Sequence, residues 1–123
     1  MEIVRNRLNV KEQNSGKLYT FYFRTPELEE TLDHLSRYRK AFKLEEEASI
    51  REISATKLDG VELILTGVGE NQFEVEIDGE ETFLSPQVED WKGILRRRYY
   101  YLLYVVFDEA FTRRGMIEAE KKS

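Results

Sequence analysis

Tyr99-Tyr100-Tyr101-Leu102-Leu103-Tyr104-Val105-Val106-Phe107 is apolar or aromatic at nine consecutive positions, inside a stretch from Pro86 to Arg114 that carries helix signals at both ends. Ser85 before Pro86 reads as a start. A serine hydroxyl can accept from an orphan N–H of the first turn, and proline lacks the N–H that would be orphaned at the first helical position. Glu89 and Asp90 then sit near the positive end of the helix dipole, while Arg113 and Arg114 before Gly115 are the order expected at the other end. The reading predicts a long C-terminal helix.

At 100° per residue, Val88, Trp91, Leu95, Tyr99, Leu102, Val106 and Ala110 fall on one side as a core-facing stripe. Arg96, Arg97, Tyr100, Tyr104, Phe107 and Phe111 form a second ladder on another side, basic at its start and aromatic further on. About 29 helical residues make a rod of about 43 Å. A compact chain of this length is only about 35 Å across. The second ladder is therefore expected to dock on another chain, with a homodimer favoured. An apolar run about half the length of a membrane span, flanked by arginines, excludes insertion of this helix.

The 123 residues predict a single domain over 1–123, with 118–123 as a frayed tail. There is no cysteine, which removes disulfides, thiolate chemistry and cysteine-based zinc sites. With no apolar h-region near the start, a cytoplasmic protein is expected. The net charge of −5 is unevenly distributed. Leu58 to Trp91 holds ten acids and no Lys or Arg, whereas residues 1–57 carry eleven bases against ten acids and 92–123 eight against four.

Upstream, alternation of Val4, Leu8 and Val10 and of Tyr19, Phe21 and Phe23 predicts two strands over 2–10 and 17–24, joined by Lys11 to Gly16 as a hairpin. Thr25-Pro26 repeats the hydroxyl-then-proline device, so a helix is expected from Pro26 to about Lys43 with Leu28, Leu32, Leu35, Tyr38 and Phe42 as its buried stripe. Glu45-Glu46-Glu47 reads as a solvated connector. Alternation of Ile53 with Ala55, the Asp59-Gly60 pair, and Val61, Leu63 and Leu65 then read as a hairpin. Gly67-Val68-Gly69 reads as a turn. Phe73, Val75 and Ile77 alternate with Glu74, Glu76 and Asp78, and Asp78-Gly79 turns the chain into Thr82-Phe83-Leu84. The fold expected is α+β, ordered β-β-α-β-β-β-β-α, with an antiparallel sheet of about six strands and two helices on one face.

No catalytic residue set, cofactor motif or metal motif emerges. His34 stands alone beside Asp33; Gly67-Val68-Gly69 lacks the third glycine of a phosphate loop; Glu74, Glu76 and Asp78 have the spacing of a solvated strand face. The chain is read as a non-catalytic protein-interaction or homo-oligomeric adaptor protein. Its contacts would be the ladder Arg96, Arg97, Tyr100, Tyr104, Phe107 and Phe111, and an acidic face of Glu62, Glu74, Glu76 and Asp78 suited to a basic protein partner. Nucleic-acid binding through Arg96 to Tyr101 is the alternative, since arginine neutralises phosphate and tyrosine stacks bases. A DNA-mimicking acidic inhibitor is a further one.

Overall fold

The computed structural model describes residues 6–113. Strands β1 (Asn6–Lys11) and β2 (Leu18–Phe23) precede helices α1 (Leu28–Ala41) and α2 (Glu46–Ile64). Strands β3 (Leu65–Val68), β4 (Glu74–Ile77) and β5 (Glu80–Phe83) follow, and then helix α3 (Trp91–Phe107), which continues through Asp108–Arg113 in a wider π-helical winding. The chain divides into two compact units, Met1–Arg24 with Leu65–Tyr100 and Thr25–Ile64 with Tyr101–Ser123. Val4, Arg114, Gly115 and the tail 118–123 lie outside the described residues.

The α+β class stands, but the six-stranded sheet does not. Among the described residues there are five strands in two antiparallel sheets, ordered β1-β2-β3 and β4-β5, with three α-helices. The error lies between Glu46 and Ile64. That segment is one 19-residue helix, with Asp59-Gly60 in its interior. Ile50, Ile53, Lys57, Val61 and Ile64 recur every three or four residues, and this helical period overrode the shorter alternation that suggested strands. Glu46 and Glu47 fill the first turn, where the dipole favours acids, instead of forming a loop. Gly60 is tolerated because the helix is closely approached there: a Cβ would lie 3.1 Å from Phe111, 3.2 Å from Phe107 and 3.2 Å from His34.

In the first unit, β1 and β2 pair from Asn6↔Phe23 to Lys11↔Leu18, and β3 adds through Phe21↔Val68 and Phe23↔Leu65. Gly67 and Val68 are thus strand residues and not a turn. Tyr19, Phe21 and Phe23 are buried on one pleat face, as their alternation requires. Phe73 packs on Tyr19 and Phe21 with ring centroids 4.9 and 5.3 Å apart. Across the sheet the Thr20 N–H donates to Gln72 Oε1 at 2.6 Å, fixing the loop before β4. β4 and β5 form the predicted hairpin with Ile77 paired to Glu80, and Asp78 (φ 51°) and Gly79 (φ 81°) adopt the left-handed backbone of a two-residue type I′ turn.

In the second unit, α1 packs along α2. The Arg37 guanidinium spans to Glu52 Oε1 at 2.9 Å and Asp59 Oδ2 at 3.0 Å, which raises its pKa, with the Glu52 hydrogen bond the largest cause. The start of α1 is set by glutamates and not by Thr25: the Glu27 N–H donates to Glu30 Oε1 at 2.9 Å. The stripe expected to be buried is largely open. Leu28, Leu32 and Phe42 are exposed, Leu35 and Tyr38 are half-buried, and the helix meets α2 through Arg37 and through His34 beside Gly60.

The C-terminal helix is shorter than expected. Ser85 starts a run of tight turns, with the Val88 N–H donating to Ser85 O at 3.0 Å and the Trp91 N–H to Val88 O at 3.2 Å. Asp90 takes a left-handed φ of 55°, which no helix interior accepts, so α3 begins after it. Gly93 leaves room for the Asp90 carboxylate over the first turn. The 17 residues of α3 span about 25 Å. Even these are broken at Tyr99, whose φ of −124° and ψ of 28° interrupt the helix. With the six residues of Asp108–Arg113 the described helical run is 23 residues, against the 29 expected.

Candidate interaction site

Ile50, Ile53, Ser54 and Lys57 share one side of α2 because they are three and four residues apart. With Tyr104 of α3 they line a cavity of about 240 Å³. Its walls are mainly apolar. Ser54 Oγ and Tyr104 Oη lie 2.7 Å apart, so the two helices are joined by a hydroxyl pair at the site.

Lys57 is held in place from several sides. Its Nζ lies 5.6 Å from the Tyr38 ring centroid, 5.7 Å from Tyr104 and 5.9 Å from Phe107, and 3.5 Å from Asp108 Oδ1. Aromatic faces and one carboxylate thus surround the end of a side chain that is only 18% exposed. Below it, Phe107 stacks on Phe111 at 4.8 Å and His34 meets Phe111 at 5.3 Å. His34 Nδ1 is 2.8 Å from Glu30 O, so its ring is a packed, backbone-bonded side chain of α1.

The predicted ladder is divided by this arrangement. Phe107 and Phe111 are core residues, Tyr104 is half-buried and Tyr100 is exposed. Arg96 is half-buried; exposed Arg97 has Nη1 3.6 Å from Asp90 Oδ2. Arg98 lies in a groove with Glu74, Glu76 and Glu81. Carboxylates thus accompany Arg97 and Arg98.

The predicted acidic face is divided as well. Glu74 and Glu76 are exposed on β4 and Asp78 is exposed in the turn, whereas Glu62 is a half-buried residue of α2 and belongs to no sheet. Glu76 stands directly opposite Glu81. Tyr99 donates its phenol proton to Glu74 O at 2.8 Å and meets Phe73 edge-on at 5.1 Å. Burial, then the charges of Glu74 and Glu12, raise the Tyr99 pKa above its ordinary 10.0. Among the described residues no group of three or more His, Cys, Asp or Glu is placed to hold a metal ion, and no helix is long and apolar enough to cross a membrane.

Sequence reasoning missed Ile50, Ile53, Ser54 and Lys57 because it placed them on a strand. It also missed Tyr101 and Val105, which are exposed one turn apart on α3 beside Tyr104. The readable signal was the spacing of 50, 53, 57, 61 and 64. Comparison with protein-family models, with curated proteins and with solved structures finds no match to this chain.

Proposed function

We propose that the chain is a non-catalytic protein-interaction module that receives an apolar segment of a partner where α2 meets α3. One observation carries this reading: the inward stripe of α2 runs on past its cover. Val61 and Ile64 are fully buried, yet Ile50, on the same side of the helix, is 62% exposed. Exposed Tyr101 and Val105 extend the apolar surface on α3. Burying a side chain of this size contributes about 1.5–3 kcal/mol, so a few of them suffice for a specific contact. Tyrosine suits such a surface, since its body is apolar and its hydroxyl keeps a polar bond. The lining offers apolar walls, a hydroxyl pair and one ammonium, a chemistry of recognition.

The exposed acids Glu74, Glu76 and Asp78 serve in this reading as a steering surface for a basic partner, whose association slows as salt rises. The carboxylates beside Arg97 and Arg98 weigh against nucleic acid as the ligand. Affinity capture with the wild-type chain and with a Tyr101→Asp, Val105→Asp double variant tests the proposal. Both positions are exposed, so the variant keeps its helical circular dichroism. The reading expects a discrete protein retained by the wild type and lost from the variant; identical captured sets would reject it.

A further inference from the structure

The open side of α1 has a charge order that fits only one kind of neighbour. Leu28 is 70% exposed, Leu32 51% and Phe42 60%. At 100° per residue these three, with Leu35 and Arg39, lie within about 80° of one another. Along one flank of that stripe run Glu29 and Asp33 in the first half of the helix, then Lys40 in its last turn and Lys43 just past its end. A groove on this flank is lined by Leu32, Leu35, Ser36, Arg39, Lys40 and Lys43. An anionic bilayer would favour the basic end and be repelled by the acidic one.

We propose that α1 is a homodimer contact, in which two copies pair antiparallel about a two-fold axis near Leu35. In such a pair each flank meets the same flank of the partner, and contacting positions sum to a constant. With the axis at Leu35 the sum is about 70, which sets Leu28 against the partner's Phe42, Leu32 against the partner's Arg39 stem, and Leu35 against its own copy. The same register brings Glu29 to the partner's Lys40 and Lys43, and Asp33 within about one turn of the partner's Lys40, each twice. A parallel pair would instead set this flank against the opposite one, which holds Thr31, His34 and Tyr38, and leave its charges unanswered. The occupant is thus a second copy of this chain, chosen by charge complementarity. The inference does not depend on the α2–α3 cleft, which lies on other residues.

Sedimentation equilibrium of the full chain at about 0.2 mM tests it, a concentration suited to a small, weak interface. The wild type should show the dimer mass. Lys40→Glu with Lys43→Glu gives an all-acidic flank and should be monomeric; Glu29→Lys with Asp33→Lys gives an all-basic one and should be monomeric too. An equimolar mixture of these two variants should restore the dimer mass, and the chain carrying all four changes should dimerise by itself. All are surface changes, and circular dichroism verifies that each variant is folded. Tyr101→Asp should leave the dimer unaltered. A wild type that is monomeric, a dimer indifferent to the charge changes, or a mixture without a complex would each overturn the proposal.

Discussion

The hydroxyls of Ser54 and Tyr104, 50 residues apart in sequence and 2.7 Å apart in space, join α2 to α3 at the candidate contact. The bond fixes the rotamer of Tyr104 and so places its ring near Lys57. Tyr104→Phe removes the bond while keeping the ring. The expected cost is about 1 kcal/mol, read as a lower urea midpoint with an unchanged slope.

Gly60→Ala separates helix propensity from packing. Alanine in an exposed helix interior would stabilise by about 1 kcal/mol relative to glycine. Here the added methyl would press on Phe107 and Phe111, which are buried and stacked on each other and cannot give way freely. Overpacking costs about 1–3 kcal/mol, so the variant should be less stable than the wild type by about 1 kcal/mol. A gain in urea midpoint would mean that the rings are loosely held.

Two misplacements in the sequence reading come from local signals that tertiary packing overruled. Asp59-Gly60 is a strong hairpin pair only when the chain needs a turn; the three side chains around Gly60 select glycine for close approach instead. Ser85-Pro86 is a sound helix start in isolation, but left-handed Asp90 restarts the helix five residues later. What was legible is what depends on near neighbours: the β1–β2 hairpin, the Asp78-Gly79 turn, and the core stripe Leu95, Leu102, Val106 and Ala110. The exposed stripe of α1 was not legible, because amphipathicity shows that a face is apolar and not what covers it.

Alkaline pH should destabilise the first unit. The pKa of Tyr99 is raised above 10.0 by burial first, then by Glu74 and Glu12; that of Tyr19 is raised by burial, then by Tyr99 and the same two acids. A raised value means that the fold binds the phenol proton more tightly than the unfolded chain does. The contribution is therefore complete below pH 10 and lost as pH rises through the folded values. Tyr99→Phe should cost about 1 kcal/mol at neutral pH, through the lost bond to Glu74 O, and should flatten the fall. Urea midpoints from about pH 8 to 11 measure both; equal slopes for the two proteins would contradict the assignment.

The acidic hairpin carries a local repulsion. Glu76 and Glu81 are direct cross-strand partners, and like charges so placed destabilise a ladder. Glu81→Thr should raise stability by about 0.5 kcal/mol at low salt, with the gain shrinking as ionic strength increases. Thermal unfolding at two salt concentrations reads the difference. A salt-independent gain would assign the effect to strand propensity instead.

The most direct test of the proposed contact is a photo-crosslinking amino acid placed at Ile50 in the full chain, with a second at Glu45 as a nearby exposed control. Irradiation in the source cells, followed by mass spectrometry of the adducts, reads what touches each position. The account predicts one recurrent protein adduct from position 50 that disappears when Tyr101→Asp and Val105→Asp are added, and no such adduct from position 45. Absence of a discrete adduct at 50, or the same adducts from both positions, would contradict it.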